Sequence, residues 1–383
     1  MQSLIPCMII RGGTSKGLYF LEKDLPPVGE KRDRVLLRVM GSPDARQIDG
    51  LGGATSVTSK VAILSRSSRD DADVDYTFAQ VSVDKAVVSY AGNCGNISSG
   101  VGPYAIESNL VKASDPETTV RIFNTNTQKI MVEVVSTPGG VVDYAGDFSI
   151  AGVPGTAAPV KIVVENPGGT VCRALLPTGN PVDVLDVPGL GRIQASFVDA
   201  TNPLVFVLAE EAGLKGTEIP AMIDSSPETL ERLELIRGIA AQKLGLVENY
   251  RDSAWKTPGV PKLTIVSPPQ DYITADGTQI RAKQIDLCSR MMSMQKTHPT
   301  YAMTGAMCTA AAAVIPGTLV DRVCRETRKA DRLRIGHPNG IIESGADSVC
   351  KEDGKVEVMA TYGYRTARLL AKGSVFYPNE DVE

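Results

Sequence analysis

The stretch "AGNCGNISSGVG" (91–102) sets Cys94 between asparagines and glycines, on a turn that leads into a run of small residues. A helix start leaves backbone N–H groups unpaired and carries partial positive charge. A cysteine there has its thiolate stabilised, and the same N–H groups can hold a carboxylate. Gly95 lets a ligand approach the backbone, and Asn93 and Asn96 add polar groups on either side. The turn can therefore serve as an acid/base group and an anion cradle; the competing reading is a small buried thiol in a tight turn. "RGGTSKG" (11–17) brings Arg11, Ser15 and Lys16 to the end of a strand. It lacks the spacing of a nucleotide P-loop. "QIDGLGGATSVTSK" (47–60) adds Gly53, several hydroxyls and Lys60. Each motif alone reads as an ordinary surface turn. Three such turns in the first hundred residues point to a pocket for a polyanionic small molecule.

The elements that must position these residues are mostly strands. "CMIIRGG", "DYTFAQVSV", "AVVSYAG", "TVRIFNT", "KIMVEVVS", "VKIVVENP", "IQASFVDA", "LVFVLAE" and "KLTIVSP" are short, rich in β-branched residues and bounded by turn formers. Helices are predicted over about 226–244, capped by Ser225 or Ser226, and at 31–41, 96–110 and 304–314. Many strands with a few helices among them make an α+β pattern. The Pro- and Gly-punctuated "LLPTGNPVDVLDVPG" (175–189) predicts a boundary between domains 1–184 and 185–383, the last strand crossing back. A faint repeat aligns 93–111 with 302–320, giving each half a small-residue helix that starts at a turn.

Bulk properties remove several function classes. The chain has 383 residues and a net charge of −4, with no basic run that would track phosphates, so nucleic acid is not an expected partner. The densest basic stretch, 325–334, is interleaved with Glu326 and Asp331 and reads as a solvated segment. The 7 cysteines are odd in number and widely spaced, which suggests neither a disulfide framework nor a zinc site. No run approaches the roughly 18 apolar residues of a membrane span, and the N-terminus has no basic leader. A cytoplasmic protein is expected, with no membrane partner.

Taken together, "RGGTSKG", "GSPDARQIDGLGGATSVTSK", "GNCGN", "LLPTGN" and "GHPNG" resemble the PrpF-type 2-methylaconitate cis–trans isomerase family. That family also holds 4-oxalomesaconate tautomerases and methylitaconate isomerases, and through the cysteine turn it is similar to diaminopimelate epimerase. The resemblance runs nearly end to end. It implies a diaminopimelate epimerase-like fold of two pseudo-symmetric antiparallel barrel-like domains, each around a central helix, with the site in the cleft between. A homodimer is a further expectation. In the epimerases two cysteines face each other across the substrate; here Cys94 matches the first, and the partner position falls at Ala302 or Met303, neither of which can move a proton. Cys308 lies beyond it and is expected in the core. The resemblance implies Lys60 as the second catalytic group beside Cys94. In "MSMQKTHPTYAMTGA" (292–306), Lys296 and His298 are candidates for a far carboxylate, and Thr304 and Gly305 for donors at the helix start. His337 in "GHPNG" reads as structural.

Chemically, an unsaturated tricarboxylate has a weakly acidic carbon next to an alkene conjugated with a carboxylate. Proton removal gives a delocalised dienolate, and proton return elsewhere moves or rotates the double bond. This needs a base of suitable proton affinity and donors for spreading negative charge, and no metal or organic cofactor. The favoured expectation is 2-methylaconitate cis–trans isomerisation, with oxalomesaconate tautomerisation and methylitaconate isomerisation as alternatives. A binding or accessory protein for an aconitase-like enzyme is the reading from another class. A Cys-dependent hydrolase is weaker, because a thiol nucleophile usually takes a histidine base and the chain has only 2 histidines.

Overall fold

The computed structural model describes residues 2–90, 94–326, 331–352 and 356–378. The architecture is α+β, with a closed 8-stranded β-barrel and further strands and helices around it. By contacts the chain divides into two units, Met1–Val163 with Tyr364–Glu383, and Val164–Gly363.

In the first unit β1 (Gln2–Gly12) and β2 (Ser15–Leu21) form a hairpin. β2 runs parallel to β3 (Lys60–Arg66), which pairs antiparallel with β4 (Val74–Val81). β4 meets both β5 (Val88–Ser89) and β6 (Glu117–Asn124), and β6 pairs with β7 (Lys129–Ser136). β8 (Pro159–Glu165) runs across the boundary. Helices cover both faces of the central strands, so "KVAIL" of β3 is buried without a break. Alternation sorts the side chains: Leu18, Phe20, Val61 and Ile63 pack with Val35, Leu36, Val39 and Met40 of α1 (Glu30–Met40). Tyr19 points the other way, donating to the Ile97 carbonyl at 2.6 Å.

The helix predicted over 96–110 is broken into α2 (Gly95–Ser98) and α3 (Val101–Glu107). Pro103 brings no N–H to continue the ladder. Glycines at 100 and 102 admit close neighbours: a methyl at Gly100 would overlap the Tyr19 hydroxyl, and one at Gly102 would lie 2.7 Å from Glu133 Oε2.

In the second unit β9 (Asp183–Val187), β10 (Gly191–Ala200) and β11 (Asn202–Leu208) are successive antiparallel strands. β11 runs parallel to β12 (Lys262–Ser267). A small hairpin follows, β13 (Tyr272–Ile273) with β14 (Gln279–Ile280), and then β15 (Leu287–Ser293), which pairs with β12 and with β16 (Lys296–Thr297). β17 (Leu333–His337), β18 (Gly340–Cys350) and β19 (Val356–Pro378) close the chain. α4 (Pro220–Asp224) leads into α5 (Pro227–Lys243), and α6 (Ser253–Lys256) follows; of the two serines considered as cap of α5, Ser226 accepts from Thr229 N at 3.2 Å. α7 (Met303–Val314) is buried along most of its length among Val198, Phe206, Leu287 and Ile335, and α8 (Leu319–Val323) follows it. Its alanines let strands approach closely, while Phe197, Val205 and Val207, facing away, pack on Leu233 and Ile236 of α5.

By contacts the segment 164–184 groups with the second unit, where it is tied to β10. Asp199 accepts from the Thr170 hydroxyl, from Val171 N at 2.7 Å and from Cys172 N at 2.6 Å, and its own N–H donates to the Leu175 carbonyl at 2.9 Å. The 23-residue β19 belongs to both units: its first part pairs with β18, and residues 367–378 pair with nearly all of β1, from Gly12↔Ala367 to Gln2↔Pro378.

Candidate active site

Cys94 is the N-cap of α2, half-buried, with extended backbone. Its carbonyl accepts from Ser98 N at 2.8 Å and Ser98 Oγ at 3.1 Å. The turn is seated against the β1–β2 hairpin, and this closeness explains the glycines of "RGGTSKG". A Cβ at Gly12 would overlap the Asn96 carbonyl, and one at Gly13, whose φ is +52°, the Asn96 side chain. A Cβ at Gly17 would lie 2.8 Å from the Lys60 carbonyl and 3.0 Å from Ile97 Cδ1, so that glycine lets the first turn of α2 approach the start of β3.

Lys60 opens β3 and is 8% exposed. Its Nζ donates to Gln80 Oε1 at 2.6 Å and sits 5.1 Å from the centre of the Phe78 ring. Gln80 cannot turn its amide freely, because Nε2 donates to the carbonyls of Ser59 at 2.9 Å and Ser56 at 3.2 Å. The loop before Lys60 is organised from within. Gln47 is buried; it donates to Ser42 Oγ and Ser59 Oγ at 3.0 and 2.7 Å and accepts from Ala54 N at 2.9 Å. Ser59 in turn donates to the Val81 carbonyl at 2.8 Å. Gly53 packs on Thr58, where a Cβ would stand 2.6 Å from the hydroxyl oxygen.

Other candidates of the first unit take varied places. Arg11 Nη1 donates to the carbonyls of Gly13 at 3.1 Å and Thr366 at 2.6 Å and to the Thr366 hydroxyl at 2.8 Å, so this guanidinium clamps the hairpin to β19. Ser15 is buried, and Lys16 is half-buried with its N–H on the Val57 carbonyl. Gly95 is the first residue of α2. Asn96 bridges: Nδ2 donates to Thr14 Oγ1 at 2.9 Å and Oδ1 accepts from Arg365 Nε at 3.3 Å. Asn93 lies outside the described residues.

Two residues here carry no signal in the motifs. Arg365, on β19, is 8% exposed, and burial brings its pKa down to about 10, against the opposing pull of Cys94. Glu133, on β7 behind the helices, is fully buried; Oε2 accepts from Gly102 N at 2.8 Å and Oε1 has no hydrogen-bond partner. Desolvation lifts its pKa to about 8.

In the second unit Ala302 is the N-cap of α7, the place Cys94 holds on α2, and Met303 is the first helical residue. Cys308 is fully buried, its Sγ 3.3 Å from the Val198 carbonyl, and burial pushes its thiol up. Lys296 is exposed on β16. His298 Nδ1 accepts from Thr300 N at 3.1 Å, closing a local turn. The Thr304 carbonyl accepts from the Thr201 hydroxyl at 2.7 Å, and Gly305 gives room to the Met291 side chain. His337 is buried and accepts from Asn339 N at 3.2 Å, a structural turn. Among the described residues no group of three or more His, Cys, Asp or Glu is placed to hold a metal ion, and no helix is long and apolar enough to cross a membrane.

The chain is similar to known proteins along nearly its whole length. The chain is 47% identical over 376 residues to the 3-methylitaconate isomerase of Eubacterium barkeri, covering 98% of this chain and 97% of that one. It is 42% identical to the 2-methyl-aconitate isomerase of Shewanella oneidensis, covering 98% of each. A crystal structure of methylitaconate-delta-isomerase superposes with a TM-score of 0.93 at 46% identity, covering 100% of this chain and 97% of that one. A hydroxyproline epimerase structure shares the fold at a TM-score of 0.53 and 12% identity, covering 99% of this chain and 94% of that one. The model of the PrpF protein family matches residues 2–378, and the chain is an isomerase belonging to that family.

Proposed function

We propose that this protein isomerises an unsaturated di- or tricarboxylate by removing and returning a proton, with Lys60 and Cys94 as the catalytic pair. The observation that carries the reading is the setting of Lys60: an amine buried at the start of β3, held by a fixed amide and an aromatic ring instead of a carboxylate, on the strand that α2 packs against. The amide orients the nitrogen, and a positioned side chain is what proton abstraction needs. In the proposed sequence Lys60 Nζ takes the proton from the carbon next to the alkene. The electron pair left behind spreads over the diene and its carboxylate. The Cys94 thiol returns a proton at the new carbon, and the ammonium restores the thiol through the departing product or solvent.

On this reading 2-methylaconitate, with a cis–trans outcome, is the first substrate. A shift of the double bond in methylitaconate is the second, favoured by the 47% identity with a methylitaconate isomerase against 42% with a methylaconitate isomerase. The test is incubation with trans-aconitate, 2-methylaconitate and methylitaconate in heavy water, followed by proton NMR. Deuterium enters the substrate carbon in the wild type, and Lys60→Ala stops it. Lack of exchange with every acid of the panel would favour a carboxylate-binding protein over an isomerase.

A further inference from the structure

We propose that Arg365 is a substrate-binding residue, the cation that receives a carboxylate of the substrate beside the Cys94 turn. The inference rests on the isomerase reading and extends it to a residue that no motif marks. The guanidinium is buried, yet among the described residues it has no carboxylate partner. Its bonds are to neutral oxygens: Nε to Asn96 Oδ1 at 3.3 Å and Nη1 to the Tyr364 carbonyl at 2.9 Å. Nη2 donates to none of the described residues. A buried charge is normally paired, because desolvation without a partner is costly. An arginine left without a counter-ion at a turn bearing a half-buried thiol has the makings of an anion site.

The surroundings fix its orientation. Asn96 is held by Thr14 on one side and Arg365 on the other, so the guanidinium is tied to the residue two positions beyond Cys94. The fork can then offer Nη2 to a carboxylate oxygen. Arg11 is already clamped on the hairpin and Thr366, so Arg365 answers the need for a cation that the "RGGTSKG" motif suggested.

The experiment measures protection of Cys94 from iodoacetamide by trans-aconitate, read by peptide mass spectrometry, with isotope exchange measured in parallel. Wild-type Cys94 is protected at low trans-aconitate concentration. Arg365→Gln needs about 10- to 100-fold more, the range for loss of a hydrogen bond to a charged group. Arg365→Lys restores part of the loss, because it keeps the charge without the fork. In exchange kinetics the Lys variant shows the change mainly in KM, and this variant decides the matter alone if Arg365→Gln does not fold. Lys60→Ala keeps the protection and loses exchange. Protection and KM unchanged in the Arg365 variants, with Lys60→Ala inactive, would overturn this proposal and leave the isomerase reading standing. A wild type that neither exchanges nor is protected would overturn both.

Discussion

Glu133 makes the folded protein sensitive to pH in a calculable direction. Its carboxyl is fully buried, one oxygen accepts from Gly102 N, the other has no partner, and its pKa rises from 4.5 to about 8 on burial. The folded state therefore holds the proton more tightly than the unfolded chain. The stability tied to this group is fully present below pH 4.5 and is lost as pH rises toward and through 8. Between pH 6 and 8 the linkage relation gives a loss of about 2 kcal/mol, roughly half of the total. Glu133→Gln keeps the shape and an oxygen for Gly102 N but cannot ionise. Urea unfolding of both proteins at pH 6, 7 and 8, followed by far-ultraviolet circular dichroism, should show the variant gaining on the wild type by about 2 kcal/mol across that span. Tryptophan fluorescence is the wrong probe, since the single tryptophan, Trp255, belongs to the other unit. Parallel stability profiles for the two proteins would refute the argument, whatever constant offset separated them.

Two further predictions concern the site. Gln80→Glu sets a carboxylate against Lys60 Nζ, now 2.6 Å from the amide oxygen; the ion pair should cut exchange activity by about tenfold, while Gln80→Asn, which keeps a neutral amide, does not bring a charge there. Exchange unchanged in Gln80→Glu would mean that Lys60 is not the base. Gly12→Ala drives a methyl into the Asn96 carbonyl, and since backbone cannot swing aside it should destabilise the protein by about 1–3 kcal/mol and cut exchange activity more than Gly373→Ala, whose Cβ meets open space. Equal effects of the two substitutions would show that α2 is not tightly seated on the hairpin.

The strand-rich α+β pattern was legible because short β-branched runs bounded by turn formers match β1, β4, β6, β7 and β10–β12. The C-terminal strands were harder to read. "VEVMATYGYRTARLLAKGSVFYP" mixes glycines and charges into its alternation, because one strand serves two units and its faces change from buried to exposed along its length. The helix at 96–110 was legible as small residues, but the close approach of Tyr19 that calls for glycine at 100 comes from a residue distant in sequence. The site shows the same divide. Lys60 and Cys94 stand in recognisable local motifs. Gln80, Arg365 and Glu133 look like ordinary polar residues of strands until β4, β19 and β7 bring them beside those motifs.

The pairing of β1 with the far end of β19 has a consequence for synthesis. The chain leaves the ribosome N-terminus first, and although the first strand meets β2 at once, it finds its other neighbour only in residues 367–378. The N-terminal unit must therefore wait, one edge open, while all of 164–363 is made, and a ribosome that stops short leaves both that edge and the position of Arg365 unfilled.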